Sequence, residues 1–202
     1  MDEARAVREY WFGTAPLTAA ALDARMQFWF GAAGAPQDAE IRARFGTLVE
    51  RAAAGALDGW AGGPRGRLSL ILLLDQFPRN IYRHTPRAFA TDEQALALTL
   101  SGMQSGADGA LDPPERLFFY MPLQHAERID AQDEGLAACR RLAAEVPPEL
   151  GAIFARVLTH AGEHHSIIER FGRFPHRNAV LGRPSTPEEL AWLQAGGASF
   201  GQ

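Results

Sequence analysis

The residues from Asp75 to Asp92 carry the side chains best suited to chemistry, because they follow directly on the apolar run Leu68–Leu74. That run has no polar face to give to water, so the segment after it is tied to a buried helix. The segment contains amide and guanidinium groups, among them Arg79, Asn80 and Arg83. Charges near a core cost several kcal/mol unless they are paired and hydrogen-bonded. The pattern therefore predicts either a buried polar network or a ligand site.

A second polar segment, Phe174–Asn178, echoes Phe77–Asn80 with one residue inserted. In both copies Phe-Pro precedes Arg-Asn, and the residue before a proline is pushed out of the helical region, which predicts a helix break at each copy. The Arg residues outnumber the acids in both turns. If both turns face one cleft, unpaired guanidiniums suit a carboxylate or phosphate ligand. The binding candidates are Arg79, Asn80, Arg83, Arg177 and Asn178.

The candidates for proton transfer are Asp75, His125 and His164. Asp75 lies near the end of a helix, where the macrodipole disfavours a negative charge, so it needs donors. Arg79 or Arg177 can supply a bidentate partner, as can Arg83. The structural alternative is a buried clamp between two helical hairpins. The enzymatic alternative uses Asp75 or His164 as a general base, which must lie within hydrogen-bond reach of its substrate.

The histidine spacing also permits a metal site. His160 and His164 are four residues apart on one helix face, and His125 with Glu127 or Asp133 could complete the ligand set. Against this, the pattern His-Glu-x-x-His is absent. The face of His164 is also apolar, since it carries Ile167, Ile168 and Phe171. We therefore expect no metal and no other cofactor.

The elements that position these residues are helices. Apolar residues recur at helical spacing in the segment that ends near Gly55: Ile41, Phe45, Leu48 and Val49. Helix starts are predicted at Thr91, Asp112 and Thr186, the first as a capping box with Gln94. The buried segment that ends at Pro122 is predicted to stop there. No hairpin signal is flanked by alternating residues. The prediction is an all-α, multi-helical fold with little or no β structure, forming one domain over residues 1–202.

Two aromatic triplets lie near the N-terminus, Tyr10–Phe12 and Phe28–Phe30. Such residues bury large areas and anchor helices. A binding platform is the other interpretation of these residues.

Composition narrows the class of protein. The chain has 202 residues and a net charge of −4, whereas a nucleic-acid surface is normally strongly basic, so we expect no nucleic-acid partner. Cys139 is the only cysteine, which excludes an intrachain disulfide. No signal-peptide pattern begins the chain, and no apolar run approaches the ~20 residues of a membrane helix. We expect a cytoplasmic protein with no membrane partner.

Four motifs together resemble DUF924, a bacterial family of unknown function. They are Phe28–Gly31, Asp75–Arg83 with Ala88–Asp92, Glu115–Leu123 and Glu169–Asn178. The resemblance implies tetratricopeptide-like helical hairpins and implies no activity. The signature and 34-residue period of a true tetratricopeptide array are absent, which weakens any transfer of peptide binding.

Three functions stay open on the sequence alone. The first is a helical interaction module that binds a peptide or protein partner in a groove, with no convergent titratable groups. The second is a binder of a small anionic ligand. The third is a small-molecule enzyme that uses the Asp/Arg/His cluster. Neither the ligand nor the oligomeric state follows from the sequence.

Overall fold

The computed structural model describes residues 2–14, 18–31 and 35–200. Ten α-helices occur in these ranges, and short 3-10 turns connect several of them. The helices are α1 (Glu3–Phe12), α2 (Ala19–Phe30), α3 (Ala35–Ala53), α4 (Pro64–Ile71), α5 (Phe77–Ile81), α6 (Asp92–Gln104), α7 (Pro113–His125), α8 (Ile129–Glu145), α9 (Gly151–Phe171) and α10 (Pro187–Gln194).

No strand occurs in the described ranges, so the predicted all-α class is confirmed. The helices pack mainly against their neighbours along the chain, and α8 lies against both α7 and α9. The predicted face of α3 is buried. The tetratricopeptide-like arrangement and the single domain over residues 1–202 stay predictions.

Helix α7 runs through the middle of the core, and every residue from Leu117 to His125 is buried. The predicted stop at Pro122 is wrong, because the helix continues through it to His125. An internal proline removes a donor and crowds the preceding turn. The carbonyl that Pro122 deprives of its helical N–H donor is that of Phe118, four residues back. The hydroxyl of Thr99, on the neighbouring helix α6, donates to the next carbonyl, that of Phe119, at 3.0 Å.

The helix that carries Asp75 is continuous from α4 to α5. A π-helical turn, Leu72–Gln76, joins the two, and the Phe77 N–H donates to the Leu72 carbonyl five residues back. The predicted break at Phe77 is therefore wrong: its φ of −66° and ψ of −38° are helical. The break predicted at Phe174 is confirmed, since its ψ of 108° is extended.

The predicted helix starts differ in how they are capped. At Thr186 the reciprocal capping box with Glu189 is present. At Thr91 it is absent. The Thr91 hydroxyl instead donates to the Leu74 carbonyl at 2.5 Å, in the turn disturbed by Pro78. The cap prediction is wrong at Thr91 because a buried carbonyl on another helix takes the hydroxyl.

Cys139 is buried, and this burial raises the pKa of its thiol to about 12. It is a core residue and not a reactive thiol. Within the described ranges, we find no helix with the length and apolar composition that crossing a membrane requires.

Candidate functional site

Asp75 lies in the π turn with no exposed surface. Its Oδ1 is 2.7 Å from Nδ1 of His125 and 3.2 Å from Nη1 of Arg79. Its Oδ2 accepts a hydrogen bond of 2.6 Å from Gln76. Burial acts to raise the pKa of Asp75, but the Arg79 charge and the hydrogen bonds from His125 and Gln76 outweigh it and hold the pKa below its ordinary value. The carboxylate is therefore ionised, accepts hydrogen bonds from His125 and Gln76, and is ion-paired with Arg79.

His125 is the last residue of α7 and faces Asp75. Burial and the charge of Arg79 lower its pKa, so the imidazole is neutral near pH 7. Because an ionised carboxylate can only accept, Nδ1 of His125 carries the proton and Nε2 carries the lone pair. No side chain or carbonyl of the described residues hydrogen-bonds to this Nε2. The pair thus presents an oriented base.

Arginines from the two Phe-Pro segments contact one carboxylate, that of Asp92. Arg79 binds it through both Nη atoms, at 2.8 and 2.9 Å. Arg177, from the second turn, places Nη1 3.6 Å from Asp92 Oδ2. The charges of Asp75, Asp92, Arg79 and Arg177 sum to zero, so the cluster is balanced internally.

Arg177 is held loosely compared with Arg79. Its Nη1 donates to the His125 carbonyl at 3.1 Å, which caps the end of α7. Its guanidinium lies over the rings of Phe89 and Phe174, 4.7 and 4.4 Å from their centroids. Burial and the charge of Arg79 lower the pKa of Arg177 to about 10, so it stays charged. Its Nε is buried and has no hydrogen-bond partner among the described residues.

Two further histidines border His125. The ring of His164 lies 6.2 Å from that of His125, and its Nδ1 is 2.8 Å from the His160 carbonyl. A carbonyl only accepts, so Nδ1 of His164 donates and Nε2 holds the lone pair. Burial lowers the pKa of His164 to about 3. His176, whose pKa is lowered to about 4 by burial and Arg177, has a buried Nδ1 with no partner among the described residues.

Phe200 covers this histidine group. Its ring stacks on His164 with 3.8 Å between centroids and lies 5.7 Å from His176. The φ of Phe200 is 51°, in the left-handed region that large side chains rarely adopt. Phe200 thus covers one face of the His164 ring.

The remaining predicted residues lie outside this cluster. In the first turn, Asn80 and Arg83 both bind Asp38, at 2.9 Å each. In the second, Asn178 binds Glu189 at 3.2 Å. Arg183 holds Glu127 with both Nη atoms. Asn80 and Arg83 thus fasten the first segment to α3, and Asn178 fastens the second to α10. Arg183 fastens the second segment to the connection between α7 and α8. Acids that are distant in sequence therefore pair with arginines that are in excess locally.

The sequence did not identify Asp38 and Glu127 as partners of the turns, nor Gln76 and His176 as members of the site. Asp38 is 42 residues from Asn80, and no local pattern signals such a pairing. In the sequence, Glu127 stands out only as a candidate metal ligand. His176 was visible as the residue inserted into the second turn, and that insertion is the signal that could have marked it.

No group of three His, Cys, Asp or Glu side chains within the described ranges is placed to hold a metal ion. His160 pairs with Glu163 at 2.9 Å, and His165 pairs with Asp133 at 2.8 Å.

A surface cavity of about 440 Å³ lies elsewhere, between α6 and α8. Its charged residues pair with each other, Arg128 with Asp130 and Arg141 with Glu134. This cavity does not include the cluster around Asp75 and His125. The cluster is the better candidate site, because its polar atoms Nε of Arg177 and Nδ1 of His176 have no hydrogen-bond partner among the described residues.

The fold and this cluster define an all-helical protein with a buried, oriented acid–histidine pair. The chain belongs to DUF924, described as a bacterial protein of unknown function, whose sequence profile matches residues 7–197. It is similar to a solved structure titled "Structure of Protein of Unknown Function ATU0120 from Agrobacterium tumefaciens". The two share 38% identity with a TM-score of 0.78, over 96% of this chain and 97% of the other. A search of curated proteins found no match.

Proposed function

We propose that this protein binds a small polar molecule at the Asp75–His125 pair and that His125 exchanges a proton with it. The observation that carries the proposal is the 2.7 Å contact from the buried Asp75 carboxylate to Nδ1 of His125, which leaves Nε2 without a hydrogen-bond partner among the described residues. A carboxylate that fixes the tautomer and orientation of a histidine is the arrangement that acid–base catalysis uses.

Electrostatics supports His125 as the base. Its lowered pKa keeps Nε2 unprotonated near neutral pH. When Nε2 takes a proton, the imidazolium lies against the ionised Asp75, which stabilises it. Arg79 opposes this charge, and its pairing with Asp92 reduces that opposition. Positioned proton transfer of this kind contributes roughly 10²–10⁴-fold in rate.

The polar atoms without partners indicate the ligand chemistry. Nε2 of His125 and Nε2 of His164 accept hydrogen bonds, whereas Nε of Arg177 donates. A ligand with at least one acidic O–H or N–H and one acceptor oxygen matches these atoms. The zero net charge of the four ionised side chains favours a neutral molecule or a weak acid over a multiply charged phosphate.

Of the five candidate binding residues, Arg177 is the one whose structure best supports a ligand contact. Arg79, Asn80, Arg83 and Asn178 each bind an internal carboxylate. Their role in this proposal is to position the turns. A peptide-binding helical module, the competing interpretation, needs no convergent titratable groups, and the presence of such a group favours the small-molecule site. A cytoplasmic location stays a prediction from the sequence.

The test is a thermal-shift screen of small hydroxylated and weakly acidic compounds against wild-type protein and His125→Gln. His160→Gln is the matched control, because His160 is exposed on α9. A compound at 100 times its Kd stabilises by about 2.7 kcal/mol, which raises Tm by roughly 5–10 °C for a chain of this size. We expect hits that shift the wild type and the control but not His125→Gln.

Each hit is then incubated with protein in D₂O and followed by NMR for exchange or conversion of the ligand. We expect changes with the wild type that are lost in His125→Gln. Imidazole ¹⁵N spectra report the tautomer directly. Protonated Nε2 in His125 at neutral pH, or hits that bind His125→Gln equally well, would refute the proposal.

A further inference from the structure

We infer a second ligand site, for a small organic monocarboxylate with a flat apolar part, in a cavity between α1, α2 and α3. The cavity has a volume of about 420 Å³, within the range of small-molecule pockets. Its lining residues are Ala6, Glu9, Tyr10, Arg25, Phe28 and Arg44. None of them belongs to the cluster around Asp75.

Arg25 provides the first argument, because it has no carboxylate partner in the described part of the chain. The residues outside that part contain no Asp or Glu, so they supply no side-chain carboxylate either. Among the described residues, the hydrogen bond of Arg25 is a long contact of 3.4 Å to the Tyr10 carbonyl. A guanidinium with unused donors is the group that binds carboxylates bidentately.

The surroundings hold Arg25 in place. Its guanidinium carbon lies 5.1 Å from the centroid of Phe28. On the other side is Gly13, where an added Cβ would stand 2.7 Å from Nη2 of Arg25. Gly13 has a φ of 84°, which favours glycine, so this close approach uses a residue without a side chain.

Tyr10 provides the second argument. Its Oη is buried and forms no hydrogen bond of ordinary geometry with the described residues. Burial and the nearby Glu40 carboxylate raise the pKa of Tyr10 to about 12, so the hydroxyl stays protonated. Tyr10 and Phe28 stand edge to face with 5.8 Å between centroids, which gives the cavity aromatic walls. These walls suit a flat apolar group.

The charge of the cavity selects a monoanion. Arg44 pairs with Glu40 at 2.9 Å, and Glu9 pairs with Arg5 at 2.6 Å. Arg25 is therefore the single uncompensated charge among the cavity residues. One carboxylate neutralises it, whereas a phosphate dianion would leave excess negative charge beside Glu9 and Glu40.

The experiment titrates benzoate into the protein and follows backbone amides by NMR. We expect saturable shifts confined to α1, α2 and the first half of α3, with a Kd of about 1 mM or tighter. Arg25→Met keeps the aliphatic packing and should weaken binding at least tenfold. Arg140→Met is the matched control, since Arg140 is exposed on α8, and it should bind like the wild type. His125→Gln should also bind benzoate normally, which separates this site from the proposed function.

Two further probes fix the ligand class. Benzylamine has the ring without the carboxylate, and inorganic phosphate has the charge without the ring; neither should give saturable shifts. Should Arg25→Met fail to fold, Arg25→Lys retains the charge but loses the planar fork and should still weaken binding severalfold. Benzoate shifts that map elsewhere, equal binding by the Arg25 variant that folds, or equal binding of benzylamine or phosphate would overturn the inference.

Discussion

Replacing Asp75 by Asn removes one charge from the centre of the buried cluster while keeping the side-chain volume. Asp75 accepts from His125 and Gln76 and pairs with Arg79. An amide has one acceptor oxygen, so at least one of these donors then faces an N–H₂ group. The guanidiniums of Arg79 and Arg177 are left to share Asp92. Breaking one partner out of a buried ion pair costs about 3–5 kcal/mol, and we expect Asp75→Asn to lower the free energy of unfolding by that amount at pH 7.

The pH dependence of this loss has a definite sign. The fold lowers the pKa of Asp75 below its ordinary value of 3.8. The ionised carboxylate therefore stabilises the fold fully above pH values near 5, and this contribution is lost as the pH falls through the folded-state pKa. Asn cannot titrate. The difference between wild type and Asp75→Asn should thus be largest at neutral pH and shrink toward pH 3.

Urea unfolding followed by circular dichroism at several pH values from 7 to 3 measures this difference. Asp23→Asn is the control, because Asp23 is 62% exposed in its ion pair with Arg156 and should change stability by less than about 0.5 kcal/mol. A loss below about 1 kcal/mol for Asp75→Asn at pH 7, or a difference that is constant with pH, would mean that Asp75 is not an ionised partner in the folded protein.

Three other predictions concern the same packing. Thr91→Val leaves the Leu74 carbonyl buried without its donor and should lower the unfolding free energy by about 1–3 kcal/mol in urea titrations. His164 is neutral in the fold, so between pH 6.5 and 5 it should make stability fall by up to ~1.4 kcal/mol per pH unit, a slope that His164→Gln removes. Gly102→Ala should destabilise by about 1–3 kcal/mol, because its Cβ would approach Phe119 to 2.5 Å, which calorimetry will detect as a lower Tm.

Two of these substitutions, Thr91→Val and Gly102→Ala, have a counterpart at an unconstrained position. Thr159→Val removes an exposed hydroxyl within α9 and should change stability by less than about 0.5 kcal/mol. Gly162 meets nothing within 4 Å, so Gly162→Ala should stabilise α9 by roughly 0.5–1 kcal/mol. A stabilising Gly102→Ala, a neutral Thr91→Val, or a pH slope unchanged by His164→Gln would contradict the corresponding contact.

The sequence was informative wherever structure depends on nearby residues. The apolar face of α3 follows from spacings of three or four residues, and the helix start at Thr186 follows from the residues next to it; both are present. It was wrong at Phe77 and Pro122, where local preference favours a helix end. At both places the helix continues. The hydroxyl of Thr91, at the start of α6, and that of Thr99, within α6, donate hydrogen bonds to carbonyls in the disturbed turns. Tertiary contacts of this kind leave no local pattern.

The sequence predicted which residues belong to the candidate site better than it predicted which of them contact each other. Asp75, Arg79 and Arg177 stand out because they are charges tied to buried segments. Asp92, the common partner of Arg79 and Arg177, could be read only as the first residue of a helix. The contact of His125 with Asp75 joins positions 50 residues apart. Pairing over such distances depends on how helices pack, and one sequence does not encode it in any countable spacing.

The π turn makes the number of residues in Leu72–Gln76 as important as their identity. An α-helix turns about 100° with each residue, so a five-residue turn redirects every side chain that comes after it. The leucines here are interchangeable as apolar groups but not as spacers. Deleting one of them would keep the segment apolar and helical, yet it would point Arg79 away from Asp92 and separate Arg79 from Arg177, which both contact that carboxylate.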